Sequence, residues 1–129
     1  MEAETEASMN SFIDRLKEQV AAKESMLCVG LDTVAEKLPA SVGSAADPQT
    51  AFNQAIVEAT ADLACCYKIN AAFYTVRGVE GVASLIETIR CIRRKEIPVI
   101  LDTKWGDIGH TAEYYARTAF TTYDADAVT

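Results

Sequence analysis

The chain has 129 residues, half of them hydrophobic and 24% charged, which suits one ordinary globular domain and excludes a disordered or fibrous chain. Nineteen acidic residues against twelve basic ones leave a net charge of −7. That balance excludes a general nucleic-acid binder, whose affinity comes from clustered cations meeting phosphates. An anionic small molecule stays possible where a few local lysines overcome the overall field.

The opening, Met1-Glu-Ala-Glu-Thr-Glu-Ala7, reads as an acidic tail over residues 1–10 rather than a basic targeting leader. From Ser11 to Lys23, Phe12, Ile13, Leu16 and Val20 make one apolar stripe at helical spacing. The run Met26–Leu31, ending at Asp32, predicts a strand buried on both faces, as in a parallel sheet. Residues 33–46 are small and irregular and read as a loop. Asp47-Pro48 then supplies a helix N-cap and a first-position proline, and the helix points Phe52, Ile56, Ala59 and Leu63 inward.

A second strand, Ala64–Ile69, precedes a helix from Val79 to Lys95 with Val82, Leu85, Ile86, Ile89 and Ile92 on its buried face. Pro98 opens the strand Val99–Asp102, as proline can at a strand's first residue. A short helix from Thr111 to Thr121 leads into a last strand-like run, Ala125–Thr129. No apolar stretch reaches the roughly 18 residues of a membrane span. Cys28, Cys65, Cys66 and Cys91 lack CxxC spacing and sit in apolar runs. They read as reduced core residues, which points to a cytoplasmic setting.

The strands begin near residues 27, 64, 97 and 126, spaced as repeated βα units with right-handed crossovers require. The class is therefore α/β. Periodicity alone leaves two architectures open: a small doubly wound sheet, or part of a (β/α)8 TIM barrel. The last strand-like run has no helix after it, which favours residues 11–129 as about the first four strands of a barrel of roughly 250 residues.

Polar residues interrupt the strands only at their carboxyl ends: Asp32 after the first, Lys68 near the end of the second, Asp102 and Lys104 at the third. In parallel α/β folds that edge is where ligands bind. Asp102 and Lys104 share strand parity, so they project to one face while the strand persists. Asp107 extends the pattern to Asp102-x-Lys104-x-x-Asp107. Two carboxylates 4 Å apart repel by ~4 kcal/mol at an effective dielectric near 20, and interleaved lysines would keep both ionised. Such an array can set a fixed negative charge against a substrate carboxylate and place an ammonium proton donor beside the same carbon. A metal site fits less well, because a lysine inside the motif competes with the cation.

The stretch Val99-Ile-Leu-Asp-Thr-Lys-Trp-Gly-Asp-Ile-Gly-His-Thr111 resembles the signature of the orotidine 5′-phosphate decarboxylase family. Cys28-Val-Gly-Leu-Asp32 and Tyr67-Lys-Ile-Asn-Ala-Ala-Phe-Tyr74 resemble its first two strand ends, in order and spacing. The resemblance implies a (β/α)8 barrel, a homodimer, and conversion of orotidine 5′-monophosphate to uridine 5′-monophosphate and CO2 without metal or organic cofactor. It implies Lys104 as proton donor to C6 of the pyrimidine, Asp102 against the departing carboxylate, and Lys68 joining the array to the ribose. Asp32 would bond a ribose hydroxyl, while Asp107, Ile108 and Thr111 would reach into the neighbouring subunit's site. The family's phosphate-gripping loop and arginine belong to the second half of the barrel and have no counterpart here, so residues 1–129 alone are expected to be inactive.

Competing readings are a Mg-dependent phosphosugar lyase sharing the DxKxxD pattern, against which Ile108 and Thr111 speak, and a noncatalytic half-barrel that serves assembly. His110 reads as a polar loop or helix-start residue rather than a metal ligand, and Trp105 as packed at a loop base or subunit contact. Arg93-Arg94-Lys95 reads as a solvated helix end suited to the dipole, and Tyr114 and Tyr115 as packing the short helix.

Overall fold

A computed structural model describes residues 11–129; the acidic tail expected at 1–10 lies outside the described residues. Helix α1 (Phe12–Lys23) starts with a capping box in which Ser11 and Asp14 each accept the other's backbone N–H. Strand β1 (Leu27–Gly30) leads into two 3-10 turns, Ala35–Lys37 and Ala40–Val42, within the predicted loop. There follow α2 (Pro48–Thr60), β2 (Ala64–Asn70), a one-turn α3 (Ala72–Thr75), α4 (Val79–Arg93) and β3 (Val99–Asp102). Helix α5 (Gly109–Arg117) runs into a π turn, Thr118–Thr122, before β4 (Ala127–Val128).

The four strands form one parallel sheet in the order β1-β2-β3-β4. A doubly wound sheet reverses direction at a switch point; this order never does. The architecture is the first half of a (β/α)8 barrel. Strand alternation divides the sheet into two faces. Tyr67, Ile69, Val99 and Leu101 point outward and are fully buried against Val57, Leu85, Ile89 and Ile92 of the helices. Each such side chain contributes about 1.5–3 kcal/mol through its burial. Lys68, Ile100, Asp102 and Ala127 occupy the opposite, concave face and are only half-buried.

Several expectations need correction. Among the described residues β1 is the edge strand of the sheet, and its Leu27, Cys28 and Gly30 are exposed rather than buried on both faces. For the same reason Cys28 is not a core residue, although Cys65, Cys66 and Cys91 are buried and all four thiols are free. In α1, Ile13 is 51% exposed, so the inward stripe narrows to Phe12, Leu16 and Val20, each half-buried.

Helix α2 is rolled relative to its hydropathy. It buries Gln49, Asn53 and Val57, leaves Phe52 and Ile56 half-buried, and Ala59 and Leu63 lie exposed. Two polar residues take the core-facing positions because each finds partners there. Gln49 donates to the carbonyls of Thr33 and Phe73, and Asn53 donates to Tyr74 Oη and Thr88 Oγ1. Among the described residues no buried side-chain nitrogen or oxygen lacks a hydrogen bond, as a polar core requires. Asp47 stands at the N-cap, but its carboxylate turns to the Thr50 hydroxyl (2.6 Å) and Arg77 (3.1 Å) instead of a backbone N–H.

The buried face of α4 is set by Gly81, Ser84, Leu85, Thr88, Ile89 and Ile92, with Val82 and Ile86 only half-buried. Gly81 allows the closest approach: a Cβ there would stand 1.8 Å from the Tyr74 carbonyl oxygen. Arg93 is not a solvated helix end, since it pairs with Asp124 and Asp126, whereas Arg94 and Lys95 make exposed pairs with Glu87 and Glu58. Tyr115 packs as expected by stacking on Trp105 (centroids 5.1 Å apart), but Tyr114 stays 63% exposed beneath the Arg117 guanidinium.

Candidate active site

The sheet brings four of the predicted charges together at its carboxyl edge. β2 pairs with β3 so that Lys68 lies beside Ile100 and Asn70 beside Asp102. Lys68 Nζ reaches Asp102 Oδ2 at 3.4 Å and Asp32 Oδ2 at 3.7 Å, bridging the ends of β1 and β3. Asp32 is held from its other oxygen, Oδ1, by the Asn70 N–H at 3.0 Å. Lys104 Nζ donates to Asp102 Oδ1 at 2.7 Å.

Strand parity is not what places Lys104. β3 ends at Asp102, and Lys104 lies in the left-handed region at φ 56°, a conformation costing a non-glycine residue about 1–2 kcal/mol. The end of β4 holds this turn. Lys104 N–H donates to Thr129 Oγ1 (3.3 Å), and the N–H of Trp105 donates to the Thr129 carbonyl (2.9 Å). Thr129 Oγ1 in turn donates to Asp102 Oδ1 at 2.9 Å. Thr129 is thus a site residue that reading the charges alone missed. The available signal was its place at the end of the fourth strand, level with the other strand-end residues.

The donors around Asp102 determine its ionisation. Lys104 above all, then Thr129 and more weakly Lys68, hold its carboxyl down at about 2, against an opposing effect of desolvation larger than the Lys68 contribution. Asp102 is therefore a fixed negative charge throughout the physiological range. Its side chain is 13% exposed, while those of Lys68 and Lys104 are 38% and 75% exposed, so the ammonium groups face the open concavity.

Asp107, Ile108 and Thr111 stand apart from this array. All three are exposed, and Asp107 Oδ1 accepts the N–H of its neighbour Ile108 at 2.8 Å. No bond joins Asp107 to the lysines among the described residues, and the second carboxylate at the array is Asp32. His110, at the start of α5, is 96% exposed at its side chain and 3.7 Å from Glu113. No group of three or more His, Cys, Asp or Glu side chains suited to a metal ion occurs among the described residues.

Half of a parallel βα barrel with a Lys–Asp–Lys cluster at its carboxyl edge defines the class: barrel proteins whose site lies at the strand ends. The comparisons with known proteins narrow it. A family model described as Orotidine 5′-phosphate decarboxylase / HUMPS family matches residues 25–129. The orotidine 5′-phosphate decarboxylase of Thermomicrobium roseum is 46% identical over 119 residues, covering 92% of this chain and 42% of that protein. A Toxoplasma gondii crystal structure aligns with TM-score 0.83 at 36% identity, over 92% of this chain and 40% of that one. The Leishmania donovani OMP decarboxylase aligns with TM-score 0.74 at 37% identity, over 92% and 43%. The chain belongs to the orotidine 5′-phosphate decarboxylase / HUMPS family, and it spans about two fifths of the length of the relatives it matches.

Proposed function

We propose that residues 11–129 supply the charged half of a barrel that decarboxylates orotidine 5′-monophosphate to uridine 5′-monophosphate and CO2. The observation that carries this reading is Asp102 held ionised between two ammonium groups that face the concavity. Placed against Asp102, the substrate carboxylate meets like charge, worth ~4 kcal/mol at 4 Å and an effective dielectric near 20. Departure of CO2 relieves that repulsion and leaves an electron pair at C6. Lys104 stabilises the developing charge and delivers its proton to the same carbon; being positioned beforehand, it needs no reorganisation at the moment of reaction. Lys68 and Asp32 bind the ribose, whose contacts are remote from the breaking bond yet can hold the carboxylate in its repulsive position.

The exposed Asp107, Ile108 and Thr111 suit a role outside their own barrel, contacting the nucleotide in the neighbouring subunit of a homodimer. The reading assigns no step to a metal or cofactor. No helix among the described residues is long and apolar enough to cross a membrane, and a cytoplasmic enzyme of pyrimidine nucleotide synthesis fits the free cysteines.

The test is Lys104→Ala in the complete barrel. Decarboxylation should fall by at least a thousandfold, about 4 kcal/mol in the barrier, with binding of uridine 5′-monophosphate still measurable by titration calorimetry. Near-normal turnover would remove the proposed donor. Turnover that collapses in EDTA and returns with Mg2+ would favour the phosphosugar lyase instead.

A further inference from the structure

Asp32 lies at the array, but the backbone that carries it is secured from behind by a buried circuit. On its N-terminal side, the Leu31 carbonyl accepts the Tyr74 hydroxyl at 2.6 Å. On its C-terminal side, the Thr33 hydroxyl donates to Asn53 Oδ1, and the Thr33 carbonyl accepts from Gln49 Nε2 at 3.0 Å. Asn53 joins the two sides, because its Nδ2 donates to Tyr74 Oη at 2.9 Å and to Thr88 Oγ1 at 3.1 Å. Asn53, Tyr74 and Thr88 are each fully buried. The amide uses both of its N–H groups and its oxygen, so it has no alternative orientation that keeps these bonds. Burial pushes the Tyr74 hydroxyl up to about 12, which keeps it a donor to Leu31 at any working pH.

We propose that Thr33 and Tyr74, tied together by Asn53, are positioning residues that fix Asp32 against Lys68 and Asn70 for ligand binding at the strand ends. The polar inner face of α2, which hydropathy assigns to apolar side chains, thereby has a purpose beyond filling the core. An apolar residue at Asn53 would fill space but leave the Thr33 and Tyr74 hydroxyls without the partner that joins them. The nucleotide part of the proposal rests on the decarboxylase reading; the positioning part does not.

The experiment uses Thr33→Val and Tyr74→Phe, which remove single hydroxyl groups and keep nearly the same shape, with Thr33→Ser as the conservative control. The first readout is amide hydrogen exchange by NMR on the full chain. The Asn70 N–H, which donates to Asp32 Oδ1, should exchange about tenfold faster in Thr33→Val and Tyr74→Phe. The Tyr67 N–H, which donates to the Pro98 carbonyl on the same strand, should be unchanged, and Thr33→Ser should restore protection at Asn70. Equal acceleration at both amides means general loosening and overturns the proposal; unchanged exchange at Asn70 does so too.

The second readout is a double-mutant cycle in the complete barrel. Thr33→Val should lower kcat/KM for orotidine 5′-monophosphate about tenfold with Asp32 present and less than twofold in an Asp32→Ala background. Equal losses in both backgrounds would show that Thr33 does not act through Asp32. A barrel that shows the Asn70 exchange effect but no nucleotide turnover would retain the positioning role and refute only the decarboxylase reading.

Discussion

Asp102 and Asp126 stand at opposite ends of the same sheet, and each carries two cations, yet the two clusters are built differently. At the amino edge, Asp126 Oδ1 accepts from both Arg15 of α1 and Arg93 of α4, while Oδ2 accepts the Val99 N–H at 2.8 Å. Its backbone N–H donates to the Val99 carbonyl at 2.9 Å. One carboxylate, 7% exposed, thus fastens two helices to the start of β3 and β4. At the carboxyl edge the cations are lysines, carried by a strand and a turn, and their ammonium groups face open space. Arginine's planar fork suits a fixed joint, whereas lysine's compact ammonium can give up a proton. A carboxylate between two cations is thus a closed staple or a cluster open to a ligand according to what carries the cations and how exposed they are.

These clusters can be separated by mutation, and on the proposed decarboxylase reading the largest expected effect is the loss of at least a thousandfold in turnover from Lys104→Ala in the complete barrel, with folding intact. Next is Asp126→Ala, which leaves Arg15 and Arg93 without their shared acceptor. It should destabilise the chain by about 3 kcal/mol in a urea titration, the lower end of the range for breaking a buried ion pair, because both arginines retain some contact with water. A loss below about 1 kcal/mol would show that the amino-edge cluster is not a staple. Asp102→Asn should cost less stability than Asp126→Ala, since Lys68 and Lys104 are more open to solvent than Arg15 and Arg93. Its effect should fall on turnover. Smallest is Thr129→Val, which removes one of three donors to Asp102. It should raise the Asp102 titration midpoint without abolishing activity, read by NMR and initial rates.

Much of the site was legible in the sequence because its charges interrupt apolar strands, and an ionisable residue inside such a run stands out. The outward strand residues Tyr67, Ile69, Val99 and Leu101 were legible for the complementary reason: hydropathy and burial agree there. The illegible features are those in which a polar group is buried with a partner distant in sequence. Asn53 and Gln49 lie outside the apolar stripe of their helix, and their burial follows only once Thr33, Tyr74 and Thr88 are placed around them. Arg93 read as a solvated helix end because Asp126 lies 33 residues away. Lys104 was expected on the correct side of the sheet, but through strand parity; a left-handed turn held by Thr129 places it instead. The exposure of β1 among the described residues goes with its edge position there, which local pattern does not encode.

Donors at the strand ends, Lys104 above all, fix the ionisation of Asp102. With its folded pKa depressed, the carboxylate contributes stability that is present above the ordinary aspartate value near 3.9 and is lost as pH falls toward 2. Carbon-detected NMR of the Asp102 carboxyl group through an acid titration measures this directly. A midpoint near 2 that rises in Lys104→Ala is the predicted result; a midpoint at or above 4, indifferent to Lys104, would contradict it.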